Sequence, residues 1–149
     1  MENIKTLEQI KRPWIVAHRG YRGSYPENTL VAFEAAIGVN ADMIELDVSL
    51  TRDRIPVVIH DNTLDRTTNG SGRVSEHTLA ELKELDAGSW FSTKFSGEAI
   101  STLEELLMSV KGRITVNIEI KPESFESPAI PDGIESQICE LVEKLEMGD

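Results

Sequence analysis

Two periods of apolar residues alternate along the chain, and they predict strands and helices in turn. "WIVAH", 14–18, is a continuous apolar run of the kind buried on both faces of a parallel sheet. "PENTLVAFEAAIGVN" follows with Leu30, Phe33 and Ile37 on one helical stripe, Asn28 as N-cap and Gly38 near the stop. "MIELDVSL", 43–50, alternates cleanly, with Ile44, Leu46, Val48 and Leu50 on one face and Glu45, Asp47 and Ser49 on the other. Strand, helix and strand make a βαβ unit. "PVVIHD", 56–61, is again strand-like, but only "TRDRI" separates it from the strand before. A parallel crossover needs about a dozen residues or more. The spacing therefore predicts an antiparallel hairpin turning near Arg52 and Asp53. A four-residue turn at 51–54 sets His60 opposite Glu45 on the same face.

Residues 62–100 form a long excursion, rich in turns around Gly70 and Gly72. Within it Thr78 and Glu81 form a capping box before Leu79, Leu82 and Leu85. Ser101 and Glu104 read as a second box, opening the helix "TLEELLMSV". "ITVNIEIK", 114–121, predicts a strand with Asn117, Glu119 and Lys121 on one face and Ile118 and Ile120 on the other. After a loop, "KPESFESPAIPDG", residues Ile134, Ile138, Leu141, Val142 and Leu145 recur at helical spacing. No internal repeat or low-complexity segment interrupts this order. Alternating strands and helices, with polar groups at strand ends, predict an α/β fold of the (β/α)8 TIM-barrel type, whose active groups sit at the carboxyl ends of strands. A full barrel takes roughly 250 residues. The 149 residues hold about three barrel strands and the hairpin. The chain is thus expected to be one partial domain, 1–149, the first half or more of a barrel with an insertion at about 62–100.

Composition adds limits. Apolar and charged fractions of 40% and 28% fit a soluble globular domain with its own core. Cys139 is the single cysteine, so no internal disulfide forms, and it reads as a small helical residue. No signal peptide and no run near the roughly 20 apolar residues of a transmembrane helix is visible, which makes a cytoplasmic location the default. The net charge of −11 disfavours nucleic acid and anionic membranes as partners. An anionic ligand would need a local inversion of that field, which a bound cation supplies.

The candidate chemistry lies at the strand ends. Glu45 and Asp47 stand two apart on one strand, side by side on one face. The pair alone fits an exposed polar face as well as a metal site. Glu119, in the same setting on another strand, tips the balance toward one oxygen-donor site of the kind Mg²⁺ or Ca²⁺ takes. Lys121 could grip a phosphate, balance a carboxylate, or simply be a solvated lysine. His18 and His60 both end apolar runs, "IVAH" and "VVIH", and two histidines in matching settings suggest an acid–base pair. Arg19, beside His18, has the planar fork that grips phosphate oxygens. His77, next to the Thr78 cap, reads as exposed and structural.

"HRGYRGSYPENT", "IELDVSLTRDRIPVVIHDNTLDRTTNGSG", "STLEEL" and "NIEIK", in that order and spacing, resemble the glycerophosphodiester phosphodiesterase family from Trp14 to Lys121. The resemblance implies a (β/α)8 barrel with a small insertion. It implies divalent-cation-dependent hydrolysis of small glycerophosphodiesters to an alcohol and glycerol 3-phosphate, a hydrolase of lipid and glycerol metabolism. By motif position it implies Glu45, Asp47 and Glu119 as metal ligands, His18 and His60 as acid–base residues, and Arg19 and Lys121 as phosphate contacts. Two rival readings stand beside it. One is a relative in the phosphatidylinositol phospholipase C or sphingomyelinase D group, against which "HDNTLDRTTNGSG" and the insertion weigh. The other is a non-catalytic partial barrel, a fragment or assembly module. A half-barrel leaves strand edges and helix faces uncovered, so a second copy or a missing C-terminal half-barrel is expected to cover them.

Overall fold

A computed structural model describes residues 13–121, 130 and 132–148. Most of the loop between Lys121 and Ile134 and the first twelve positions lie outside the described residues. The elements are β1 (Val16–His18), α1 (Leu30–Gly38), β2 (Met43–Leu50), β3 (Pro56–Val58), α2 (Leu79–Lys83), α3 (Leu103–Val110), β4 (Thr115–Ile120) and α4 (Ile134–Lys144).

β2 is the centre of the sheet. β1 and β4 run parallel to it, and β3 pairs antiparallel with its last residues. The alternation read from the sequence is the alternation observed. Ile44, Leu46 and Val48 pack with Phe33 and Ala36 of α1, Leu103, Leu106, Leu107 and Val110 of α3, and Ile134 and Ile138 of α4. Helices thus cover one sheet face, which is the barrel-type layering, and Glu45, Asp47 and Ser49 take the other face. A second apolar cluster, built on Val57, Ile59, Leu64, Val74, Leu82, Ala87 and Ile100, anchors the excursion to the hairpin. Cys139 is exposed on α4, and His77 Nδ1 lies 2.8 Å from the Arg73 carbonyl oxygen, a structural contact. No helix among the described residues is long and apolar enough to cross a membrane.

Four local readings are corrected. First, β1 is shorter than "WIVAH" and is not buried on both faces. Ile15 and Val16 are 58% and 44% exposed, because β1 pairs with β2 alone among the described residues. Second, the hairpin register is shifted by one. Ser49 pairs with Val57, the turn spans five residues, and the Ile59 N–H donates to the Asp47 carbonyl. Ile59 therefore lies opposite Asp47, and His60 follows the last ladder bond instead of facing Glu45. Third, Thr29, not Asn28, caps α1. Its backbone is extended and its side chain accepts from the Ala32 N–H, whereas Asn28 sits at φ +56°. Fourth, the second capping box is Thr102 with Glu105, since Thr102 Oγ1 accepts from the Glu105 N–H and the Glu105 carboxylate from the Thr102 N–H. Ser101 lies one residue earlier, its carbonyl taken by the Val58 N–H. The first box, Thr78 with Glu81, is as read.

Candidate active site

The strand register assembles the site. On parallel strands residues in register share a face. His18 is in register with Glu45, and Glu119 with Asp47. One carboxylate oxygen from each of Glu45, Asp47 and Glu119 lies within 4.8 Å of the others. Glu45 and Asp47 are buried, whereas Glu119 is exposed.

Buried carboxylates need partners, and the partners here are cationic or polar. Lys121 Nζ lies 2.8 Å from Asp47 Oδ1 and donates to Glu119 Oε1 at 2.7 Å. Arg19 Nε is 3.4 Å from Asp47 Oδ2, which also accepts from Asn28 Nδ2 at 3.0 Å. Burial pushes the Asp47 carboxyl up, but hydrogen bonds from Lys121 and Asn28 outweigh it and leave it below its ordinary value. Glu45 behaves in the opposite way. Its Oε2 accepts the Arg19 backbone N–H at 3.1 Å and lies 3.7 Å from His18 Nε2. Its Oε1 is buried without a hydrogen-bond partner. Burial and then the charge of Asp47 raise the Glu45 carboxyl above its ordinary value. Three carboxylates against the two cations Lys121 and Arg19 leave the cluster one negative charge in excess. An orphaned buried oxygen, excess negative charge and an all-oxygen donor set fit a hard metal ion.

The two histidine-bearing turns flank this cluster. After β1 the chain turns sharply, with Arg19 at φ +59° and Gly20 at φ +80°. A Cβ on Gly20 would stand 2.8 Å from Ala32 Cβ, so only glycine lets α1 approach this turn. The Asn28 N–H donates to the Arg19 carbonyl at 3.0 Å, which closes the "PENT" loop back onto the site. His18 is held below its ordinary value by burial and then by Arg19 and Arg22. His60 Nδ1 lies 2.6 Å from Asp61 Oδ1. His60 lines one cleft with Glu27 and Asn28, and Asn28 in turn bonds Asp47.

All seven residues singled out from the sequence therefore border one region: the three carboxylates, Lys121, Arg19 and the two histidines. The sequence reading missed Asn28 as a partner of Asp47, and it missed Glu27, Asp61 and Arg66. Asp61 had a local signal, adjacency to His60. Arg66 and Glu27 had none, because their contact joins residues 39 apart.

Residues 18–145 match the model of the glycerophosphoryl diester phosphodiesterase family. A glycerophosphodiester phosphodiesterase of Caldanaerobacter subterraneus subsp. tengcongensis is 47% identical over 131 residues, 87% of this chain and 52% of that protein. The crystal structure of glycerophosphodiester phosphodiesterase from Agrobacterium tumefaciens superposes with a TM-score of 0.81 at 41% identity, over 91% of this chain and 55% of that one. An Oleispira antarctica phosphodiesterase solved with the product sn-glycerol-3-phosphate gives a TM-score of 0.79 at 38% identity, over 89% of this chain and 52% of that one. The chain spans about half the length of the relatives it matches.

Proposed function

The chain belongs to the glycerophosphoryl diester phosphodiesterase family, and from that premise we propose that its site hydrolyses glycerophosphodiesters to an alcohol and glycerol 3-phosphate with a divalent cation, Mg²⁺ or Ca²⁺. The observation that carries this reading is the convergence of Glu45, Asp47 and Glu119 within 4.8 Å, bordered by two cations and two histidines.

Glu45, Asp47 and Glu119 would hold the cation, which when bound supplies Lewis-acid stabilisation of charge on the phosphoryl oxygens. Arg19 and Lys121 add positive charge where the diester binds. Together these groups account for an anionic substrate on a protein of net charge −11. His18 and His60 move the protons. One takes a proton from the nucleophile, and the other gives one to the leaving alkoxide. An ionised carboxylate only accepts hydrogen bonds, so Asp61 holds a proton on His60 Nδ1 and leaves Nε2 as the atom that faces the reaction.

The test is glycerol 3-phosphate release by the full-length protein from a panel of glycerophosphodiesters. Replacing His18 or His60 by Ala should lower turnover by about 10²–10⁴-fold while cation affinity stays within about threefold. Full activity in either variant would remove that histidine from the chemistry.

A further inference from the structure

An unbroken chain of alternating charges links the two turns that carry Arg19 and His60. Arg19 Nη1 donates to Glu27 Oε1 at 3.1 Å. Glu27 receives both Nη1 and Nη2 of Arg66, at 3.0 and 2.8 Å. On its other edge Arg66 donates from Nε to Asp61 Oδ2 at 2.7 Å and from Nη2 to Asp61 Oδ1 at 2.9 Å. Asp61 Oδ1 in turn meets His60 Nδ1 at 2.6 Å. The guanidinium has five N–H donors, and four of them are spent on these two carboxylates in two forks. Arg66 comes from the excursion after β3, Glu27 from the loop before α1, and Asp61 from the end of the hairpin, so no single element could build this arrangement.

We propose that Arg66 is a positioning residue for the reaction above, clamping Glu27 and Asp61 so that Arg19 is set at the phosphate site and His60 is held with Nε2 facing the substrate. The inference rests on the hydrolytic reading of that site. It also gives the excursion a role: it delivers the residue that ties both reactive turns together. The charge states agree with the geometry. Arg66 leads the causes that hold Asp61 well below the usual carboxylate range. Glu27 is pushed up by its burial, yet its bonds to Arg66 and Arg19 bring it below its ordinary value. Both carboxylates are therefore acceptors throughout the neutral range, as two forks require. A lysine could supply the charge but not the forks.

The experiment compares R66M, R66K, D61N and the double variant R66M/D61N in the full-length protein. Steady-state kinetics are run at saturating cation, and His60 is observed by ¹⁵N NMR. Orienting partners of this kind are typically worth about 10–100-fold. R66M and D61N should each lower kcat by about that factor with KM within about threefold, and R66K should recover little. If Arg66 acts on His60 through Asp61, the double variant should be no worse than the poorer single one. The His60 nitrogens should lose the Nδ1–H signature in both D61N and R66M. Unchanged kcat in R66M, full rescue by R66K, multiplicative losses in the double variant, or an unchanged His60 tautomer in R66M would each overturn the proposal. If the wild-type protein hydrolyses no glycerophosphodiester, the proposed function fails, and the His60 nitrogen shifts still decide the clamp.

Discussion

Replacing Glu45 by Gln should stabilise the protein without its cation and destabilise it, relative to wild type, with the cation bound. In the metal-free state the Glu45 carboxylate faces Asp47 and Glu119 with oxygens within 4.8 Å. Two like charges no more than 4.8 Å apart at an effective dielectric near 20 repel by about 3.5 kcal/mol or more. Lys121 and Arg19, 2.8 and 3.4 Å from Asp47, neutralise much of the Asp47 charge, so the net repulsion felt by Glu45 is smaller, on the order of 1 kcal/mol, the usual energy of a carboxyl pKa perturbation in a folded protein. Gln keeps the shape, and its carbonyl still accepts the Arg19 N–H that Glu45 takes at 3.1 Å. In chelator at neutral pH, E45Q should therefore unfold at higher urea, by about 1 kcal/mol. The pH dependence has a definite sign. The folded Glu45 carboxyl is raised above 4.5, so its contribution is fully present below the unfolded value and is lost as pH rises through the folded one. The advantage of E45Q should open above about pH 4.5 and close below it. With cation at 100 times its Kd, the wild type gains about 2.7 kcal/mol, and E45Q, lacking one ligand, gains much less. The order of stability then reverses. Urea unfolding in chelator and in cation measures both arms. An E45Q protein less stable than wild type in chelator, or one that gains as much from the cation, refutes the reasoning.

Two further predictions test how the site is supported. Gly20→Ala forces a Cβ to 2.8 Å from Ala32 at φ +80°, and should cost about 1–3 kcal/mol in urea unfolding and lower turnover by displacing Arg19. Thr102→Ala should cost about 1 kcal/mol through loss of the capping box, while Ser101→Ala should cost clearly less; equal losses would return the cap to Ser101.

The residues that were legible in the sequence are those whose role is written in local period. Ile44, Leu46 and Val48 alternate with Glu45 and Asp47 because helices cover one face of β2 and the site occupies the other. What was not legible depends on choices between equally good local options. Asn28 and Thr29 are both good N-caps, and Asn28 is spent on Asp47 instead. Ser101 and Thr102 are each followed three residues later by Glu, and pairing of the Ser101 carbonyl with the Val58 N–H decides between them. The hairpin register turned on one residue of loop length. Thr51 Oγ1 accepts the Ile55 N–H and donates to Asp53, which stabilises a five-residue turn. Arg66 is legible only in three dimensions, because its partners come from two other segments of the chain.

The most direct measurement is the rate of glycerol 3-phosphate release by the full-length protein as free Mg²⁺ or Ca²⁺ is titrated back into chelated enzyme. The account predicts no turnover in chelator, saturable recovery, and a half-saturation raised at least about tenfold by Asp47→Asn or Glu119→Gln. Undiminished turnover in chelator, or an unchanged half-saturation in both variants, would contradict a cation centre built on these carboxylates.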